Sequence, residues 1–111
     1  MPAYPVLRHK ADFDALARSG TARSNRLLVL RTLRTNRSET RVGLSTPRSL
    51  GGAVQRNRVR RRLRELVRER HGGIGAGWDL LLIARPEAAL ASHAELREAL
   101  GSLLERSEIG E

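Results

Sequence analysis

Twelve residues, Ala53 to Arg64, hold six arginines (Arg56, Arg58, Arg60, Arg61, Arg62 and Arg64) and no acidic residue. A guanidinium is a planar fork of N–H donors, always charged, that matches the shape of a phosphate. Like charges four apart on a helix repel, and Arg56 with Arg60, Arg60 with Arg64 and Arg58 with Arg62 all stand at that spacing. A polyanion bound along the run relieves that repulsion. A merely solvated face normally mixes its signs, which this run does not. The chemistry available here is phosphate binding.

Bond-breaking chemistry is hard to assemble from the rest. His9, His71 and His93 have no metal-ligand spacing, and no paired carboxylates flank them. Asp12 with Asp14, and Glu95 with Glu98, read as capping and solvated-face residues rather than acid–base pairs. Ser19, Ser45 and Ser49 lack a G-x-S-x-G setting, and no Walker spacing occurs. No catalytic or metal-ligating residue is expected on this chain. Any reaction here is carried out by another molecule.

The arginines need a rigid support, and the same stretch supplies one. Val59, Leu63, Leu66 and Val67 recur at i, i+4, i+7 and i+8, one stripe of a helix. At about 100° per residue, Asn57, Arg61, Arg64 and Arg68 fall opposite that stripe, with Arg60 beside them. A nuclear localisation run would need no such stripe. Gly51-Gly52 directly precede the helix, where free backbone N–H groups favour an anion.

Around this helix the pattern predicts an irregular arm over residues 1–9, with Pro2 and Pro5 opposing helix. A short helix follows on Ala11, Phe13, Leu16 and Ala17, stopped at Gly20. Ser24 to Thr35 reads as one long strand, and Thr40 to Thr46 as a second, paired with it as an antiparallel hairpin. Trp78 to Ala84 is apolar enough for a strand buried on both faces. Ser92-His93-Ala94-Glu95 is a capping box opening a last helix with Leu96, Leu100, Leu103 and Leu104 on one side. Residues 107–111 read as a tail. The order α-β-β-α-β-α gives a single-domain α/β (α+β) protein spanning residues 1–111.

Composition agrees with a nucleic-acid partner. The net charge of +9 is concentrated: +7 in residues 1–55, +6 in residues 56–70 and −4 in residues 72–111. Of the 21 basic residues only Lys10 is lysine. The lack of cysteine rules out disulfides and thiolate metal sites and fits a reducing, cytoplasmic setting. The longest apolar run, Leu80 to Ala84, is far too short to span a membrane, and the N-terminus has no apolar signal core.

The run from Arg41, RVGLSTPRSLGGAVQRNRVRRRLRE, with Arg56-Asn57-Arg58 at its centre, resembles the signature of the bacterial ribonuclease P protein subunit. The likeness extends to Leu7-Arg8, Phe13, Gly20, the strands and Ala84-Arg85-Pro86. It implies a sandwich like domain 2 of ribosomal protein S5, with a left-handed β-α-β crossover. It also implies that a catalytic RNA subunit, with Mg2+ bound mainly by RNA, removes the 5′ leader of precursor tRNA. The protein then steadies that RNA and holds the leader, with no DNA or membrane partner. The other reading of the basic helix is a ribosomal or RNA-chaperone protein.

Carried over by position, Arg56, Asn57, Arg58, Arg60 and Arg61 meet the RNA subunit, joined by Arg64 and Arg68 on the same face. Arg48 is the one cation left in the stretch Ser45-Thr46-Pro47-Arg48-Ser49, which reads S-x-x-K-K in relatives. The leader cleft would comprise Arg8, Phe13, Leu16, Arg31 and Ser45. Phe13 matches a cleft aromatic, though its spacing from Leu16 also suits a core residue. Two further cleft positions, aromatic in relatives, are Ala17 and Arg31 here. Leader binding is therefore expected to lean on Arg8, Arg31 and backbone contacts.

Overall fold

The computed structural model describes residues 4–109, so Pro2 of the expected arm and residues 110–111 of the expected tail lie outside the described residues. Helix α1 (Lys10–Ser19) leads into strands β1 (Thr21–Ser24), β2 (Leu28–Arg34) and β3 (Arg41–Ser45). Helix α2 (Ala53–Arg70), strand β4 (Trp78–Ala84) and helix α3 (His93–Arg106) follow. Short 3-10 turns lie at Arg48–Leu50, His71–Gly73 and Pro86–Leu90.

The helix patterns translate directly into packing. Val59, Leu63, Leu66 and Val67 are the buried residues of α2. They share one core with Leu28, Leu30, Val42, Leu80, Leu82 and Ala84 of the sheet and with Leu96, Leu100 and Leu103 of α3. Leu104 is only half-buried against that core. The capping box at α3 is complete: Glu95 N–H donates to Ser92 Oγ at 3.1 Å and Ser92 N–H to Glu95 Oε1 at 2.9 Å. The Ser92 N–H bond to the carboxylate, above all, holds the Glu95 carboxyl below its ordinary pKa.

The strands depart from expectation in two ways. The strand expected over Ser24 to Thr35 begins only at Leu28, and an unexpected strand, β1, precedes it, because Asn25 folds the chain between them: its Oδ1 accepts from the N–H groups of Leu27 (3.1 Å) and Leu28 (3.0 Å). This side-chain turn makes β1 and β2 the antiparallel hairpin. Nor do β2 and β3 pair. The sheet order is β1-β2-β4-β3, with β4 antiparallel to β2 and parallel to β3. The most apolar strand takes an interior position with a neighbour on each side, and α2 becomes the crossover between β3 and β4.

The two sheet faces are unequally covered. Helices α2 and α3 seal one. On the other, Leu81 and Ile83 of β4 and Val29 and Leu33 of β2 are only half-buried, contrary to a strand buried on both faces. Helix α1 crosses this face, and Leu16 is its only fully buried residue, with Ala11 and Ala17 exposed. Gly20 ends α1 without adopting a left-handed conformation (φ −75°). Its need for glycine is steric: a Cβ there would lie 2.5 Å from the Leu16 carbonyl oxygen.

Both chain ends are docked where described. Val6 bridges Val42 in parallel, Leu7 N–H donating to Val42 O and Val42 N–H to Pro5 O, so the arm covers the outer edge of β3. Past α3, Glu108 takes φ 54° and Ile109 turns into the core, accepting from Gly75 N–H at 2.7 Å.

Candidate nucleic-acid interface

Docking the arm on β3 and α2 behind it leaves a cavity of about 590 Å³ between them. Arg60, Arg61, Arg64 and Arg68 form one wall, with Glu65 among them. Tyr4, Val6, Leu7 and Arg8 of the arm, Val42 and Leu44 of β3, and Phe13 of α1 form the rest. The row projected opposite the apolar stripe of α2 is thus the row that faces open space.

Its charges are unspent. Among the described residues, none of Arg56, Arg58, Arg60, Arg61, Arg64 and Arg68 forms an ion pair. Arg61, Arg64, Arg68 and Asn57 are exposed. Arg60 is half-buried and partly fixed, donating to Thr46 Oγ1 and to Asn57 Oδ1 (3.4 Å). Arg62, on the far flank, holds the Ala91 carbonyl at 3.1 Å and supports the fold instead.

The Arg56-Asn57-Arg58 motif does not form one surface. Two residues apart on a helix means about 200° of rotation, so Arg56 and Arg58 emerge on opposite flanks. Both are half-buried, and the buried Nε of each has no partner. Arg48 lies in the exposed turn before α2, outside the cavity. Gly51, at φ 132°, sits in a backbone region that a side chain would strain. No side chain caps the N-terminus of α2.

The expected leader cleft separates into parts. Arg8 and Phe13 line the cavity. Leu16 is fully buried and cannot touch a ligand, a correction to the expected cleft: it is the one residue of α1 packed entirely inside the protein. Arg31 and Ser45 are half-buried on the face that α1 crosses. The register sets Arg31 across from Leu81 and Gly43, and Ser45 across from Ile83 and Val29, in adjacent rows. Phe13 has a share in both of its readings: it lines the cavity yet is half-buried, with its ring against Gly43, where a Cβ would stand 2.9 Å from Phe13 Cε1. Tyr4, Val6, Leu7, Leu44 and Glu65 were not foreseen. Glu65 was readable as the acid between Arg61 and Arg68, whereas the others depend on the arm pairing with a distant strand.

Behind this wall lies one buried ionic group. Arg41 donates from Nε and Nη2 to both Asp79 oxygens (3.0 and 2.7 Å) and from Nη1 to Asp12 Oδ2 (3.2 Å). The paired Asp79 carboxylate, above all, keeps the Arg41 pKa raised. These acids are therefore engaged, and among the described residues no three His, Asp or Glu side chains group so as to hold a metal ion.

Tyr4 gives the arm a spectroscopic handle, being the only tyrosine. Its ring stacks on His71 at 5.7 Å, while His71 Nε2 lies 3.0 Å from Thr40 O. Burial raises the phenol pKa above 10.0, and the Arg64 charge pulls it partway back. A raised acid is stabilising below its unfolded pKa and loses that contribution as pH climbs through the folded value. Tyrosinate absorbance of the native protein is thus expected to develop above pH 10, falling back to about 10 in denaturant. Equal midpoints would show that the arm is not docked.

A model of the ribonuclease P family matches residues 1–108. The chain belongs to the ribonuclease P protein family. A ribonuclease P protein component of Streptococcus pneumoniae is 33% identical over 103 residues, 93% of this chain and 84% of that protein. Among solved structures of the family, the Staphylococcus aureus ribonuclease P protein superposes with a TM-score of 0.87 at 26% identity, covering 95% of this chain and 96% of that one. The Thermotoga maritima protein gives 0.82 at 28% identity, covering 91% and 96%. The mixed α/β fold of three helices on a four-stranded sheet is thus the fold of this family. Its members are protein components of an endoribonuclease.

Proposed function

We propose that this chain is the RNA-binding subunit of ribonuclease P, assisting a catalytic RNA in removing the 5′ leader of precursor tRNA in the cytoplasm. The observation that carries this reading is the arginine wall of α2, free of ion pairs among the described residues and facing an open cavity. Family membership favours it over a ribosomal or RNA-chaperone role.

The division of work follows from charge. Arg61, Arg64 and Arg68, with Arg60, present forked donors to phosphates of the RNA subunit, and Asn57 extends the same face. Arg56 and Arg58 serve two different strands of RNA, since they point apart. Phe13 and Arg8 close the cavity towards the leader, where stacking of Phe13 on an unpaired base contributes about 1–3 kcal/mol. Arg31 and Ser45 receive leader backbone on the half-covered sheet face, and Arg48 adds charge at its end. Mg2+ is expected to be bound mainly by the RNA; near the cavity, Asp12 and Asp79 are both engaged by Arg41. No helix of the described residues is long and apolar enough to cross a membrane.

Reconstitution with the RNA subunit encoded in the same genome tests the reading. Adding the chain at low magnesium is expected to raise turnover of precursor tRNA and its affinity. No gain in either would return the protein to the ribosomal or chaperone class.

A further inference from the structure

Helix α1 carries Phe13 and follows Arg8, so its position sets one side of the cavity, yet its apolar anchoring is slight. Leu16 is its single fully buried side chain, and no side chain caps its N-terminus at His9. What ties it down is ionic. Arg41 of β3, its side chain 10% exposed, grips Asp79 of β4 with two donors and spends the third on Asp12, in the first turn of α1. Asp12 directly precedes Phe13, and Gly43, two residues beyond Arg41 on the same sheet face, is the floor against which the Phe13 ring rests.

We propose that Asp12, through Arg41 and Asp79, is a positioning residue that fixes α1 and with it the Phe13 side of the cavity, making leader recognition depend on this three-element clamp. The inference rests on the leader role given to Phe13 above. The arginine wall does not share the dependence, because α2 is held by its own apolar stripe on the opposite sheet face.

Asp12→Ala severs the link to α1, together with the acid of the helix's first turn, and leaves the Arg41–Asp79 pair balanced, so the buried charges stay compensated. In the holoenzyme it is expected to lower affinity for leader-bearing precursor tRNA about three- to tenfold, the scale of coupling between residues sharing a backbone shift. Affinity for mature tRNA and for the RNA subunit stays at the wild-type value. Asp12→Asn keeps an oxygen acceptor for Arg41 Nη1 and retains most of the leader affinity. Combining Asp12→Ala with Phe13→Ala adds little to the loss from Phe13→Ala alone.

Additive losses, equal losses for precursor and mature tRNA, or unchanged precursor binding by Asp12→Ala would overturn the clamp. A wild-type holoenzyme that binds the two tRNAs equally overturns the leader assignment itself, and the clamp's role with it. A melting temperature measured on each variant separates these outcomes from unfolding: an Asp12→Ala loss that appears only as the protein melts also counts against the clamp.

Discussion

Arg41→Ala is expected to lower the unfolding free energy by about 3–5 kcal/mol, the cost of leaving a buried charge without its partner. The Asp79 side chain is 5% exposed, and both its carboxylate oxygens are satisfied by this one guanidinium. Removing the guanidinium strands the buried Asp79 on β4, flanked by β2 and β3, and frees α1 at once. Domains of this size have about 5–15 kcal/mol in total, so the variant becomes marginal. Thermal or urea unfolding reads the change. A buried pair replaced by apolar side chains of similar volume is commonly neutral, so Arg41→Met with Asp79→Leu should recover most of the loss. Near-wild-type stability for Arg41→Ala would mean that the ionic group contributes nothing to the fold.

The second large effect is on binding, with little change in stability. Replacing Arg61, Arg64 and Arg68 with alanine removes three exposed cations that form no ion pair among the described residues. Each lost phosphate contact lowers the slope of log affinity against log salt by about 0.7–0.9. The triple variant should therefore bind RNA weakly, with a slope shallower by about two units or more. Its stability should stay close to that of the wild type, because relief of the like-charge pairs Arg60–Arg64 and Arg64–Arg68, about 0.2–0.5 kcal/mol each, offsets loss of the helical neighbours Arg61–Glu65 and Glu65–Arg68. Arg62→Ala is the contrasting variant. It forfeits the hydrogen bond to Ala91 O, worth about 1 kcal/mol, and keeps the salt slope. An unchanged slope in the triple variant would mean that the wall does not touch phosphate.

These effects trace to features of unequal visibility in the sequence. The α2 stripe and the Ser92 capping box were legible because both are local: a 3.6-residue repeat and a four-residue pattern are fixed by helix geometry. Strand β1 was not, since all four of its residues are exposed and carry no apolar alternation. The pairing of β3 with β4 rather than β2 depends on contacts nearly forty residues apart, which no window reports. The same holds for the arm: Tyr4 and Leu7 lie near the arginine wall only because Val6 pairs with Val42. Helical projection placed Arg61, Arg64 and Arg68 correctly on the open face. It could equally have shown that Arg56 and Arg58 diverge, had the motif been read as geometry rather than as a unit. Leu16, expected in the cleft, is instead the fully buried residue by which the short helix α1 packs on the sheet.

The central claim is that this polypeptide holds RNA in place while RNA breaks the phosphodiester. The direct measurement is cleavage of 5′-labelled precursor tRNA in magnesium by the pure chain alone, by the RNA subunit alone and by the two together. The account predicts no leader release with the chain alone, slow release with the RNA subunit alone at high magnesium, and fast release at low magnesium only when both are present. Leader release by the chain without RNA, abolished together with its own acidic residues, would contradict it.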